Sequence, residues 1–442
     1  MLDTLPRAGG WLQSVTGAGA EAAPQPPDAA QVADAVARFV ALREFRARLY
    51  ACFTARADAL FELADAILCA DHAVTSLVQL SQEAEFTSGH GALYDALAAG
   101  EIDEEALAGL LTGTLPQLTD GEQARAWAGE HDVIDYGLLE SAIAGLPDEE
   151  AAQVREACAR WRRLRFAIDA TPYPRPDAEC SPEREHVHHD ACRGDGTRKT
   201  IPGWEYQFVA AVGHLRTAWT AVVDVERTAK ATRTSQTARQ VRNLLRRLAA
   251  AGHGPGGAPL VILDAGYSAA ALTAALAGQP VHLLVRLPAG SVMYGEPVTW
   301  PGRNGRPPRH GVPEHTFRFL KGALGLTAAK VRTPAQADRW ARLVMAAYAQ
   351  LLIARTDTAD LRRPWEKPPD PDRPLTPGRV RRGFPNIRRQ IGTPVHVAKP
   401  GRPGPGRPKG TTSGPAPRHP IPKKSCTTNK PDRATEKPQV KT

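Results

Sequence analysis

Two short runs hold the residues best placed to do chemistry. Phe166-Ala167-Ile168-Asp169-Ala170-Thr171-Pro172 is an apolar run that delivers one carboxylate and then meets a proline. Leu260-Val261-Ile262-Leu263-Asp264-Ala265-Gly266-Tyr267 repeats the device, and Gly266 lets the chain turn at once. Each reads as a buried strand ending on an aspartate. A carboxylate at the end of an apolar strand is costly unless something positive pairs with it. Two of them invite a divalent cation. Mg²⁺ is hard, takes oxygen ligands, and is commonly held by one or two carboxylates together with substrate phosphates. The expectation is that Asp169 and Asp264 meet in space and hold metal for phosphodiester chemistry. The plainer alternative for either aspartate alone is a turn former or a helix N-cap.

The elements that must position these residues follow from the pattern around them. Tyr206-Gln-Phe-Val-Ala-Ala-Val and Trp219-Thr-Ala-Val-Val-Asp-Val read as two strands, with Gly213 and His214 between them as a hairpin turn. A basic amphipathic helix is expected from about residue 234 to 251. The Asp264 strand follows, then a helix over 268–277 and a strand, Val281-His-Leu-Leu-Val-Arg-Leu. The order is three strands, a helix, a strand, a helix and a strand. The first three suit antiparallel pairing and the later ones parallel pairing through crossover helices. Beyond a Gly/Pro-rich stretch, Glu314 opens a helix and shares one face with Arg318 and Lys321 at i, i+4 and i+7. At that position Glu314 also complements the helix dipole.

Four segments are expected. Residues 1–30 are Gly-, Ala- and Pro-rich and read as disordered. Residues 31–163 read as a helical domain, with an apolar stripe through Val32, Val36, Phe39 and Val40. Within it, two short helices around a Ser/Gly turn, over 72–97, have a helix-turn-helix shape that either reads DNA or simply packs. Its end carries Arg160, Arg162, Arg163 and Arg165 just before the Asp169 strand. Residues 164–356 form the α/β domain, and 357–442 a Pro/Arg-rich tail.

Charge supports that division. Net charge is +9, but residues 361–442 hold 20 Lys/Arg against 5 Asp/Glu, so the remainder is mildly acidic. The tail, with Arg402, Arg407 and Lys409 in a Gly/Pro run, suits a narrow, electronegative minor groove. A solubilising tail is the alternative. No apolar run is long enough to span a membrane. Six scattered cysteines fit a reducing cytoplasm. The loop with Cys180, His186, His188, His189 and Cys192 resembles a zinc site in composition, but its spacing matches no strong zinc pattern, and a polar surface loop is the expectation.

In order along the chain, Phe166-Ala-Ile-Asp169, Ser181-Pro-Glu-Arg184, Ile201-Pro-Gly-Trp204, Leu263-Asp-Ala-Gly-Tyr267, Glu314-His-Thr-Phe-Arg-Phe-Leu-Lys321, Ala337-Asp-Arg-Trp340, Arg363-Pro-Trp-Glu366 and Arg402-Pro-Gly-Pro-Gly-Arg-Pro408 resemble the DDE-type transposases of insertion sequences, the DDE superfamily endonucleases. The Arg, Pro and Ala bias suggests an actinobacterial source. The resemblance implies a ribonuclease H-like mixed sheet flanked by helices. It implies Asp169, Asp264 and Glu314 as catalytic and metal-holding acids, Mg²⁺ (or Mn²⁺) as cofactor, and double-stranded DNA, both transposon ends and target, as partner. It further implies a homodimer on DNA, and Arg318, Lys321, Arg402, Arg407 and Lys409 as DNA contacts. Two departures from the family pattern stand out. Only 26 residues, 288–313, separate Leu287 from Glu314, where the family carries a long insertion, and His310 replaces an arginine four residues before the glutamate. They point to an internal deletion and keep a second reading open, an inactive DNA-binding relic.

Overall fold

A computed structural model describes residues 39–115, 147–150, 164–188, 200–212, 219–253, 258–287, 312–369, 374–396, 410 and 414–421. The N-terminal helices are α1 (Val40–Ala51), α2 (Ala57–Cys69), α3 (Leu77–Leu80), α4 (His90–Ala99) and α5 (Glu104–Thr112). Strands β1 (Phe53–Ala55) and β2 (Glu101–Ile102) pair between them. The main sheet holds β3 (Arg165–Pro174), β4 (Glu185–His188), β5 (Thr200–Ala211), β6 (Ala221–Thr228), β7 (Leu260–Leu263) and β8 (His282–Val285). Helices α6 (Arg233–Ala250), α7 (Ala269–Ala275), α8 (Val312–Gly322), α9 (Pro334–Ala354) and α10 (Pro377–Ile391) complete the fold.

The sheet runs β6-β5-β3-β7-β8, with β4 sharing the β6 edge of β5. β3, β5 and β6 are antiparallel, while β3, β7 and β8 are parallel. That is the ribonuclease H-like strand order, reached by helix crossovers where the strands are parallel. Cross-strand contacts assign the faces. Phe208 of β5 meets Phe317 of α8, and Tyr206 donates to Asp338 of α9 at 2.7 Å. Gln207, pointing the other way, donates to Gln240 of α6. Thus α8 and α9 cover one face and α6 the other, with α7 packed on α6. Among the described residues, no helix is long and apolar enough to cross a membrane.

The expected end of the first strand at Pro172 is corrected, since β3 continues to Pro174. β7 pairs only with 165–168, so from Asp169 onward β3 has a neighbour on one side alone. Proline is tolerated on such an edge because no ladder hydrogen bond is lost. Likewise β5 begins at Thr200 rather than Tyr206, and part of the expected loop, 185–188, is strand β4. Gly203 makes this possible: a Cβ there would collide with the Tyr173 carbonyl oxygen. Val40, placed in the expected apolar stripe, is 46% exposed, whereas Phe39, Leu42 and Phe45 are buried. Residues 1–38, Gly213, His214 and Arg160 to Arg163 lie outside the described residues.

The expected tail is also corrected over part of its length. α10 buries Val380, Phe384 and Ile387 and packs on α2 and α9. Its Arg381 is buried and donates to the carbonyls of Ile67 and His72. Its Arg388 donates to Asp65 Oδ2 at 3.2 Å. Asp65 is fully buried and also receives a two-pronged bond from Arg46, at 2.6 and 2.9 Å. Arg46 reaches Gln350 of α9 at 2.6 Å as well. One carboxylate therefore ties together α1, α2, α9 and α10. The helix-turn-helix-shaped unit is held in a similar way. Buried Glu62 of α2 accepts from the backbone N–H groups of Thr87 and Ser88, and α4 packs on α2 and α9.

Candidate active site

The register places the two aspartates together. Ile168 of β3 aligns with Leu263 of β7, so the next residues, Asp169 and Asp264, come side by side where β7 leaves the sheet. Adjacent strands lie about 4.8 Å apart. Asp169 also pairs with Phe208, on the face covered by α8. Asp169 is half-buried and Asp264 exposed, at the mouth of the notch left by the end of β7.

Local hydrogen bonds orient both carboxylates. Ala170 N–H donates to Asp169 Oδ1 at 2.8 Å. Gly266 N–H donates to Asp264 Oδ1 at 2.9 Å, an Asx-turn of the kind aspartate favours. A Cβ at Gly266 would stand 3.0 Å from that same oxygen, so the turn leaves little room for another residue there.

The Asp169 carboxyl is pushed up to about 6, chiefly by burial and then by the negative charge of Asp264. The Ala170 N–H and the Lys321 ammonium act in the opposite direction. Lys321 therefore brings the polar face of α8 within electrostatic reach of the aspartate. Glu314 lies in the first turn of α8, seven residues and about two turns before Lys321. Its side chain is outside the described ones. Arg318 is exposed on α8. Arg402, Arg407 and Lys409 are outside the described residues, as are His189 and Cys192. His186 and His188 sit on β4, and Cys180 lies in the turn that precedes it. Among the described residues, no three His, Cys, Asp or Glu side chains form a metal-ligating group.

A buried polar network, unforeseen in the sequence, braces the notch from the other face. Tyr267 Oη donates to Gln207 Oε1 at 2.9 Å. Gln207 Nε2 donates to Thr237 Oγ1 at 3.0 Å and Gln240 Oε1 at 2.5 Å. Arg233 pairs with Glu205 and lies 6.0 Å from the centre of the Tyr267 ring. Burial, followed by the charge of Asp169, raises the Tyr267 phenol well above its usual range, so it stays a donor. The sequence signal for this network is Gln207, a polar residue inside an otherwise apolar strand. A buried glutamine needs partners, and helix α6 supplies them.

The raised carboxyl has a consequence for stability. In metal-free protein, folded Asp169 titrates near 6, against 3.8 for an unperturbed aspartate. Between those values the folded state holds more protons than the unfolded one. Stability therefore falls as pH rises through that window. Asp169→Asn removes the fall and is expected to be more stable than wild type above pH 6, by about 2 kcal/mol after solvent screening at a half-buried group. Melting curves of both proteins in chelator between about pH 4 and 7.5 check this. A stability difference that does not change with pH would contradict it.

The donor set fits a divalent cation. Two hard carboxylates stand side by side, one of them disfavoured in its charged form by the other, with a lysine as the nearby cation. A family model described as DDE superfamily endonuclease matches residues 48–134 and 142–346. Among solved structures, the chain is similar to the cryo-EM structure of a piggyBac transposase synaptic complex with hairpin DNA. Identity is 10% and the TM-score 0.28, covering 81% of this chain and 82% of that one. No curated protein matches the chain.

Proposed function

Since the chain belongs to the DDE superfamily endonucleases, we propose that Asp169, Asp264 and Glu314 carry metal-dependent cleavage and joining of DNA strands, the activity of a transposase. The observation that carries this reading is the pairing of Ile168 with Leu263, after which Asp169 and Asp264 follow side by side and within electrostatic reach of each other.

Asp169 and Asp264 would hold Mg²⁺ or Mn²⁺, with Glu314 as the third acid from the start of α8. When bound, the metal supplies Lewis-acid charge neutralisation at the phosphoryl group and lowers the pKa of attacking water. The chain's own residues do the rest. The Asx-turn at Gly266 fixes the Asp264 carboxylate, and the Tyr267–Gln207–Gln240 chain fixes the turn from behind. Lys321 offers a point charge to a phosphate beside Asp169. Arg318, exposed on the same helix, extends that basic face. The reaction class is in-line displacement at phosphorus, by water and then by a 3′-hydroxyl. An element with two ends suits a homodimer on DNA.

The first test is nicking of supercoiled plasmid with Mn²⁺ or Mg²⁺, by wild type and by Asp169→Asn. Cleavage by wild type alone supports the reading. Equal cleavage by both would refute it. Binding without cleavage would favour the inactive relic suggested by the short 288–313 connection.

The tail carries a separate expectation. Arg402, Arg407 and Lys409 bind phosphates, so the triple alanine variant binds duplex more weakly at every sequence. Its plot of log affinity against log salt is shallower by about 3, roughly one for each cation removed. An unchanged slope in a salt titration would remove these residues from the interface.

A further inference from the structure

Past Pro174, β3 runs into a cavity of about 560 Å³ lined by Arg175, Asp177, Glu179, Ser181, Arg332 and Arg418. The wall is built rather than incidental. Arg184, buried behind it, donates to the carbonyls of Ser181, Arg175 and His419. Residues 414–421 close the other side: His419 N–H donates to the Glu179 carbonyl at 2.8 Å, and Arg418 lies 3.5 Å from Glu179 Oε2. Three arginines and two carboxylates line it, with buried Arg184 behind them, so positive charge is in excess. Burial lowers the Arg175 guanidinium from its usual value, and the charge of Arg184 adds to that.

Two polar groups in this wall lack partners among the described residues. Ser181 is 1% exposed, yet its Oγ makes no hydrogen bond. Arg175 Nε is buried and also unbonded. Buried donors of this kind are costly to leave unmade. A hydroxyl and several guanidinium groups around one concavity match a phosphate, which offers several acceptor oxygens and negative charge.

We propose that this cavity binds one backbone phosphate of the DNA duplex that is cleaved at Asp169 and Asp264. The inference rests on the DNA-cleavage reading above. Arg175, the residue after the end of β3, stands six residues beyond Asp169, about 20 Å away at 3.3 Å per residue. A duplex lying along β3 would cover that span in about six base steps. The cavity then fixes the duplex at a second point and sets which bond reaches the aspartates. The 414–421 segment contributes Arg418 and, through its bonds with Arg184 and Glu179, shapes the rim.

The test uses the full chain and a labelled duplex, with anisotropy read between about 50 and 200 mM salt. Arg332→Ala with Arg418→Ala removes two exposed side chains. It is expected to weaken duplex binding about tenfold and to reduce the salt slope by about 1. Ser181→Ala removes a hydroxyl without a protein partner. It should leave the melting temperature unchanged and still weaken binding about threefold. Arg246→Ala on α6, an exposed arginine elsewhere, should change affinity least. Inorganic phosphate, titrated calorimetrically, should bind wild type and lose its heat in the double variant. If duplex affinity and slope are the same in wild type, the double variant and Ser181→Ala, the cavity proposal fails while the cleavage reading stands. The proposal also fails if phosphate binds the cavity but duplex affinity ignores it, since the site then takes a free anion. Wild type that binds duplex through the cavity but never nicks it would instead overturn the cleavage reading.

Discussion

Asp169→Asn is expected to lower metal-dependent nicking by about three orders of magnitude, with duplex affinity unchanged or slightly tighter. The size follows from what the carboxylates are asked to do. Lewis-acid stabilisation of charge at the phosphoryl group is worth several kcal/mol. At 1.36 kcal/mol per decade that is about 10³ in rate. Asp264→Asn should cost as much, and the double variant little more, because groups acting on one ion fail as a unit. Asparagine keeps the shape of the side chain and the acceptor for the Ala170 N–H. The loss therefore comes from the missing charge. A melting temperature at or above that of wild type near neutral pH, as the raised Asp169 carboxyl requires, would separate lost chemistry from lost folding. An Asp169→Asn protein that nicks at more than about a tenth of the wild-type rate would remove this residue from the reaction.

Asp65→Ala is expected to destabilise the protein by about 3–5 kcal/mol, a large share of a typical folding free energy. Asp65 is completely buried and accepts from both Arg46 and Arg388. Removing it leaves Arg46, 2% exposed, without its anion in an apolar setting beside the Phe61 ring. Melting should fall by roughly 10 °C. The cluster also predicts a sign change. Arg388→Ala costs stability in wild type but relieves repulsion in the Asp65→Ala background. A double-mutant cycle on melting or denaturant curves reads that coupling. Additive effects would mean that the three side chains do not act as one cluster. Because Arg388 belongs to α10 and Asp65 to α2, the cycle also tests whether the C-terminal helix is part of the folded body.

The strands and their aspartates were legible because two matched apolar runs each end in a carboxylate and because strands and helices alternate readably around them. β7 ends at Leu263, opposite Ile168 of β3, so the aspartate that follows each apolar run comes to the same level of the sheet. Three features were not legible. The proline at 172 reads as a stop, yet β3 loses its β7 neighbour at that level, so the usual penalty is absent. The strand over 200–205 carries Pro202 and Gly203, which argue against a strand in any local reading. The third is α10. Its arginines look like solvated tail charge, and only tertiary packing shows that Arg381 caps the carbonyls of Ile67 and His72 while Arg388 meets Asp65. The brace behind the site had a faint signal in Gln207. Its partners Thr237, Gln240 and Tyr267 lie 30 to 60 residues away, beyond any local pattern.

Placement of Glu314 bears most on the enzyme reading, because the connection before it is short. The direct measurement is an anomalous difference map from crystals of the full chain grown with Mn²⁺. The account predicts manganese peaks bound by the carboxylates of Asp169, Asp264 and Glu314, at roughly 4 Å spacing if two ions bind. Manganese at the two aspartates with Glu314 directed elsewhere, or no manganese at all, would contradict it and leave a chain that holds DNA without cutting it.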